Sequence, residues 1–84
     1  MTILSILATA SGMIMGLANM PQAYKIFKRK SAKDISIWTY GSFFVGSIIW
    51  ILYGLEEHDY AIILANGIGS VSLACVIVGW IKYR

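Results

Sequence analysis

The sequence contains three long runs without a charged residue, Met1–Tyr24, Ile35–Leu55 and Tyr60–Ile81. The hydrocarbon core of a bilayer is about 30 Å thick, and a helix that rises about 1.5 Å per residue crosses it in roughly 20 residues. Each run meets that length. A soluble bundle would repeat polar residues at helical spacing, but none of the runs has a charged face. The sequence therefore predicts an all-α membrane protein, a three-transmembrane-helix bundle.

The turns between the runs indicate where the helices begin and end. We expect one domain, 1–84, with helices over approximately 2–28, 35–55 and 60–82. Asp34 or Ser36 would cap the second helix, because short polar side chains accept hydrogen bonds from free N-terminal amides. Gly54 would end that helix, and Glu56–Asp59 would form the turn to the third.

All seven Lys and Arg residues lie in two short stretches, Lys25–Lys33 and Lys82–Arg84. Cytoplasmic loops collect Lys and Arg, whereas acidic residues contribute little to orientation. Three crossings place both stretches on the same side. We therefore expect the C-terminus in the cytoplasm, with the N-terminus and the acidic turn Glu56–Asp59 outside. Anionic lipid headgroups explain the basic excess, so membrane lipid is the expected partner and nucleic acid is not.

Polar residues within the runs mark candidate functional positions, because an unpaired polar group in hydrocarbon costs free energy. Trp50 lies too deep for an ordinary interfacial tryptophan, and Ser47 is one turn away. Asn66 lies one or two turns inside the third run. An indole face and an amide together suit a neutral polyhydroxylated solute such as a sugar. Taken alone, an asparagine such as Asn66 is more often a hydrogen-bonding link between helices than a ligand contact.

Pro21, the only proline, lies near the inner end of the first run between Asn19 and Gln22. A proline inside a helix removes a backbone hydrogen bond and kinks the helix. The kink is either a fixed bend or a hinge that opens one side of a pathway.

Three packed helices leave no room between them for a solute, so any pathway must lie between copies of the chain. A homodimer would supply two parallel units around a midplane site. Small residues at every fourth position let helices approach closely in lipid, and they recur at Ala8, Gly12, Gly16, Ala65 and Gly69. We expect these faces to pack within a subunit, with contact between subunits as the alternative.

The three runs contain no Asp, Glu, Lys, Arg or His. Proton relays and sites for charged substrates usually need such a residue, so the sequence favours downhill movement of a neutral solute. It contains neither a nucleophile–base pair nor a metal cluster, and Cys75 is the only cysteine. We therefore expect no enzyme activity, no cofactor and no metal.

The pair Pro21-Gln22, followed by a basic turn and then Asp34-Ile35-Ser36, resembles the PQ-loop transporters. The resemblance extends to three further segments: Ser47–Trp50, Tyr53-Gly54 and Leu64–Asn66. In its length and its single three-helix unit, the chain is similar to the bacterial SemiSWEET sugar transporters, which are half-sized relatives of the eukaryotic SWEETs.

This resemblance implies a multi-pass protein of the bacterial cytoplasmic (inner) membrane that forms a parallel homodimer with the sugar path on its two-fold axis. Trp50 and Asn66 of both subunits would hold a mono- or disaccharide of the glucose or sucrose class, with Ser47 nearby. The function implied is that of a facilitative uniporter working by alternating access. A PQ-loop carrier for amino acids or another small metabolite is one alternative. A small membrane scaffold subunit without transport activity is the other.

The resemblance also implies two gates, a hinge and inner gate at Pro21 and Gln22 and an outer gate at Tyr53 and Asp59. Some relatives carry a basic residue where this chain has Glu57, so an Arg–Asp gate pair does not carry over. His58 or Tyr60 is an alternative hydrogen-bond donor to Asp59.

Overall fold

Residues 2–84 form four helices in the computed structural model. They are α1 (Ile3–Leu17), α2 (Met20–Arg29), α3 (Ile37–Glu57) and α4 (Tyr60–Tyr83). Together α1 and α2 make one apolar stretch of 27 residues, while α3 has 21 and α4 has 24. Each of these three stretches is long and apolar enough to cross a bilayer. The prediction of an all-α protein with three transmembrane spans is confirmed.

The first span is interrupted at Ala18 and Asn19, just before the proline. Pro21 lies in the first turn of α2, where backbone N–H groups have no acceptor within the helix. In a continuous helix the residue at this position would donate to the carbonyl of Leu17, but proline has no N–H. Just before this point, the N–H of Ala18 donates to the carbonyl of Met15, three residues earlier, at 3.2 Å. A bond over three residues, where an α-helix has four, tightens the end of α1. The helical hydrogen bonds are thus interrupted where the kink was predicted, while Ala18 and Asn19 keep right-handed helical backbone angles.

The helix α4 lies in the middle of a layer one helix thick. It packs against α1 and α2 on one side and against α3 on the other, whereas α1 and α3 make no extensive contact with each other. The molecule is accordingly flat, with dimensions of 43 × 21 × 14 Å. This order leaves a strip of α4 uncovered between α1 and α3.

Small residues bring α1 and α4 into backbone contact. A Cβ atom at Gly16 would lie 2.8 Å from the amide nitrogen of Gly69, and one at Gly12 would lie 2.6 Å from the Cβ of Ala65. Only a residue without a Cβ allows this approach. The expected packing within one subunit is confirmed for these four residues. Ala8, which continues their spacing, is exposed.

A small buried core joins the helices at the end of the molecule that carries the basic residues. Ile26 of α2 and Val76 of α4 are almost fully buried there, together with Ala32 from the loop before α3. The N–H of Ala32 donates to the carbonyl of Tyr83 at 3.2 Å, so this loop is attached to the last turn of α4. The two basic stretches therefore lie at the same end of the molecule.

The ends of α3 match the sequence prediction at the start and differ from it at the finish. Ser36 is the N-cap, and its side chain accepts a hydrogen bond from the first turn. The prediction that Gly54 ends the helix is wrong. The helix α3 continues to Glu57 and ends at His58, which has a left-handed conformation. Gly54 instead permits close packing, since a Cβ there would lie 3.0 Å from the side chain of Ile62.

Replacing Gly16 by alanine should separate α1 from α4, because the new methyl group meets the backbone of Gly69, which cannot rotate away. We expect Gly16→Ala to lower the free energy of unfolding by about 1–3 kcal/mol, as overpacked sites do. Gly67→Ala is the matched control, since nothing lies within 4 Å of a Cβ there. Denaturation in detergent micelles measures both variants, and equal stability of the two would contradict the packing described.

Candidate functional site

A groove runs along the uncovered strip of α4, between α1 and α3. Its volume is about 510 Å³, which falls in the range of ~300–1,000 Å³ found for small-molecule sites. Among residues 2–84, none of those that line it is charged. The side chains with polar atoms in its lining are Asn19, Ser42, Ser47, Trp50 and Asn66. The groove can therefore form hydrogen bonds with a solute without offering it a charge.

Trp50, Ser47 and Asn66, the three residues predicted to bind substrate, all line this groove. Ser47 and Trp50 are three residues apart on α3, so they lie one above the other on the same helix face. A tight turn joins α3 to α4, and the two helices pack side by side in opposite directions. This packing brings Asn66 of α4 beside Ser47 and Trp50. Two adjacent helices thus supply the indole, the hydroxyl and the amide.

The indole of Trp50 is held in place but not covered. It makes an edge-to-face contact with Tyr53, with ring centroids 5.7 Å apart and planes at 89°. Even so, 53% of the Trp50 surface remains exposed. A large aromatic side chain that is oriented by a neighbour and still accessible provides a flat apolar surface for a ligand.

Asn66 forms a hydrogen bond with its own helix. Its Nδ2 donates to the carbonyl of Ile62 at 3.0 Å, one turn earlier in α4. A side-chain amide has two N–H donors and an oxygen acceptor, so this bond occupies only part of its capacity. In residues 2–84 the amide does not link two helices, and its remaining capacity can serve a ligand in the groove.

Asn19 also lines the groove, although the sequence analysis gave it no role of its own. It occupies the N-cap position of α2, where asparagine is among the best capping residues. Here its backbone angles are φ −82° and ψ −13°, and its side chain makes no capping hydrogen bond. An asparagine two residues before the helix-breaking proline was the sequence signal for this position.

The residues predicted for the hinge and inner gate lie outside the groove. Pro21 is exposed in the first turn of α2. Gln22 lines a small cleft of about 40 Å³ at the basic end, near Arg29 and Asp34. Both residues are close to the interruption in the first span, and neither lines the groove that contains the predicted binding residues.

The residues predicted for the outer gate have separate partners. Tyr53 contacts Trp50, whereas Asp59 is the N-cap of α4 and its carboxylate accepts a hydrogen bond from the N–H of Ile62 at 3.3 Å. Within residues 2–84 no hydrogen bond joins the Asp59 carboxylate to His58 or Tyr60, the two donors considered from the sequence. Asp59 also lines a separate cavity of about 280 Å³ at the turn between α3 and α4.

No group of three His, Cys, Asp or Glu side chains in residues 2–84 is placed to hold a metal ion. The thiol of Cys75 is free. The residue packs against the small buried core around Ile26 and Val76 and does not line the groove.

Comparison with known proteins gives a consistent family match. The family model described as "Sugar efflux transporter for intercellular exchange" matches residues 2–84. A SemiSWEET sugar transporter of Bradyrhizobium diazoefficiens is 30% identical over 67 residues, which cover 80% of this chain and 78% of that protein. A SemiSWEET sugar transporter of Leptospira biflexa is 40% identical over 47 residues, which cover 56% of this chain. The match spans about half of the Leptospira protein, 55% of its length.

A solved structure also resembles this chain. The crystal structure of a bacterial homologue of SWEET transporters superimposes with a TM-score of 0.90 at 31% sequence identity. The alignment covers 99% of this chain and 100% of that one. The two chains therefore share one fold.

If the groove faces water, a cysteine in it should react with a charged, membrane-impermeant thiol reagent. We expect Ser47→Cys to be labelled in a Cys75→Ala background, because Ser47 lines the groove. Ile48→Cys is the control, since one residue further the α3 helix turns by about 100° and Ile48 does not line the groove. Mass spectrometry of the labelled protein gives the extent of reaction. Equal labelling of the two cysteines would contradict a water-filled groove on this face.

Proposed function

Because the chain belongs to the SWEET family of sugar transporters, we propose that it is a facilitative sugar uniporter of the SemiSWEET type. It is a multi-pass integral protein of the bacterial inner membrane and not an enzyme. The observation that carries the proposal is the uncharged groove in which Trp50, Ser47 and Asn66 come together.

The proposed substrate is a neutral mono- or disaccharide of the glucose or sucrose class. The indole of Trp50 would stack on the C–H face of a sugar ring, while Asn66 and Ser47 would hydrogen-bond its hydroxyl groups. Groups with formal charge are absent from the groove lining in residues 2–84, which favours a neutral solute over an ion. The same absence favours downhill movement, because proton-coupled carriers usually place an ionisable residue within the membrane.

The proposed functional unit is a parallel homodimer, because the groove of one chain has only three sides. The layer is one helix thick, so a solute in the groove would be open to lipid on the side away from α4. A second copy facing this side would close the pathway. Gly46 of α3 lines the groove and supports contact there, since nothing in the chain lies within 4 Å of a Cβ at this position. Copies related by an axis along the membrane normal would keep both basic ends in the cytoplasm.

We place the conformational change of the proposed transport cycle at the break in the first span. Residues Ala18 and Asn19 interrupt the helical hydrogen bonds, so α1 and α2 can change their mutual angle without breaking a continuous helix. Pro21 and Gln22 would move with α2 as hinge and inner gate, while Tyr53 and Asp59 close the outer side. The two gates would open in turn as the dimer exchanges between conformations that both bind sugar.

Trp50→Ala and Asn66→Ala should each reduce sugar uptake into proteoliposomes about five- to thirtyfold at sugar concentrations below saturation. Each variant removes contacts worth roughly 1–2 kcal/mol in the bound state, and about 1.4 kcal/mol corresponds to tenfold in affinity. Trp38→Ala is the matched control, because Trp38 is 83% exposed near the inner end of α3 and lies outside this groove. Labelled glucose and sucrose are the tracers.

If the wild-type protein takes up neither sugar, the proposed function is refuted. Uptake that persists in both the Trp50 and Asn66 variants would leave transport intact and refute this binding site. Loss of uptake in Trp38→Ala to the same degree would show that the effect does not come from the groove.

A further inference from the structure

Resting on the proposed function, we infer that the groove holds two sugar rings at two levels, with Asn19 and Phe43 forming an inner subsite beside the Trp50–Asn66 level. The preferred substrate would then be a disaccharide whose long axis follows the membrane normal. It rests on the repetition of one set of chemical groups along the groove.

The outer set consists of an aromatic ring, a hydroxyl and an amide, supplied by Trp50, Ser47 and Asn66. Further along the same groove lie a second aromatic ring, a second hydroxyl and a second amide. These are Phe43, Ser42 and Asn19. Sugars are bound by such combinations, because an aromatic face covers the C–H groups of a ring while hydroxyls and amides pair with its O–H groups.

The aromatic residues fix the spacing of the two levels on α3. Phe43 and Trp50 are seven residues apart, which is two helical turns, so their side chains lie on one face about 10 Å apart along the axis. Ser47 lies between them on that face. Phe43 is 58% exposed, comparable to Trp50, so its ring is also accessible.

The amides, one on α4 and one just after the end of α1, have a similar spacing along the groove. The contact between Gly16 and Gly69 fixes the relative height of α1 and α4. Asn66 lies three residues outward from Gly69, and Asn19 lies three residues inward from Gly16. At about 1.5 Å per residue, the two amides are separated by roughly 9 Å along the groove. A single sugar ring is too short to reach both, whereas two linked rings extend from one level to the other.

The Asn19 side chain can act on a ligand because it makes no hydrogen bond to α2, in keeping with the helical backbone angles of this residue. An asparagine at an N-cap normally bonds to the amides of the first helical turn. Asn19 forms no such bond and lines the groove instead. A residue that departs from its usual local role and faces a cavity is a candidate for a functional position.

The test compares glucose and sucrose uptake by the full-length protein in liposomes, using Asn19→Ala and Phe43→Leu. We expect the sucrose concentration at half-maximal rate to rise about fivefold in each variant, as loss of one hydrogen bond or stacking contact predicts. The corresponding value for glucose should stay within about twofold, because one ring is held at the Trp50 level. Phe43→Tyr keeps an aromatic ring and should retain wild-type selectivity. Leu52→Ala is the control on α3, since Leu52 is exposed and does not line the groove.

Equal weakening of glucose and sucrose in both variants would overturn the inner subsite, and so would the absence of any change. A wild-type protein that transports glucose but not sucrose would also overturn it, while leaving the proposed function intact. If the wild-type protein transports neither sugar, the proposed function fails and this inference fails with it.

Discussion

The close contact between α1 and α4 determines the geometry on which the rest of this molecule depends. Gly12 and Gly16 let the backbone of α1 approach Ala65 and Gly69, so α4 occupies the centre and α3 must pack on its other side. Because α1 and α3 are held apart by α4, they form two walls and α4 forms the floor. The groove therefore depends on four small residues at the α1–α4 contact together with the packing of α3 on α4.

The second constraint is the distribution of charge. Every Lys and Arg lies at one end of the molecule, and the groove lining has no charged residue in the part of the chain described, 2–84. We expect the basic end to lie in the cytoplasm, because Lys and Arg collect on that side. In the proposed function, a neutral solute would move along the groove without the large desolvation penalty that a charged solute would incur.

Sequence reasoning located the spans and several contacts because these depend on local composition. Uncharged runs of helical length predicted the three crossings, and the small residues Gly12, Gly16, Ala65 and Gly69 predicted close packing within a subunit. The order of the helices could not be read in this way. The helix α4 is apolar around its circumference, so no polar face distinguishes its central position from an outer one.

One local feature was predicted wrongly, and another was predicted without its consequence. Gly54 was expected to end α3, but a glycine serves equally to end a helix and to admit a close neighbour, and here the side chain of Ile62 occupies that space. The kink predicted at Pro21 corresponds to an interruption of the helical hydrogen bonds at Ala18 and Asn19, and Asn19 lines the groove at that point. That Asn19 faces the groove could not be read from the sequence, because it depends on how α1 packs against α4.

The central claim is that a second copy closes the groove and forms the pathway. The most direct measurement is cross-linking of Asn66→Cys in a Cys75→Ala background, with a short bifunctional thiol reagent in native membranes. The account predicts a covalent dimer whose yield falls when sugar is added, and no dimer for Val71→Cys, which lies in the separate groove on the other side of α4. An Asn66→Cys protein that reacts with a monofunctional reagent but forms no covalent dimer would contradict the account.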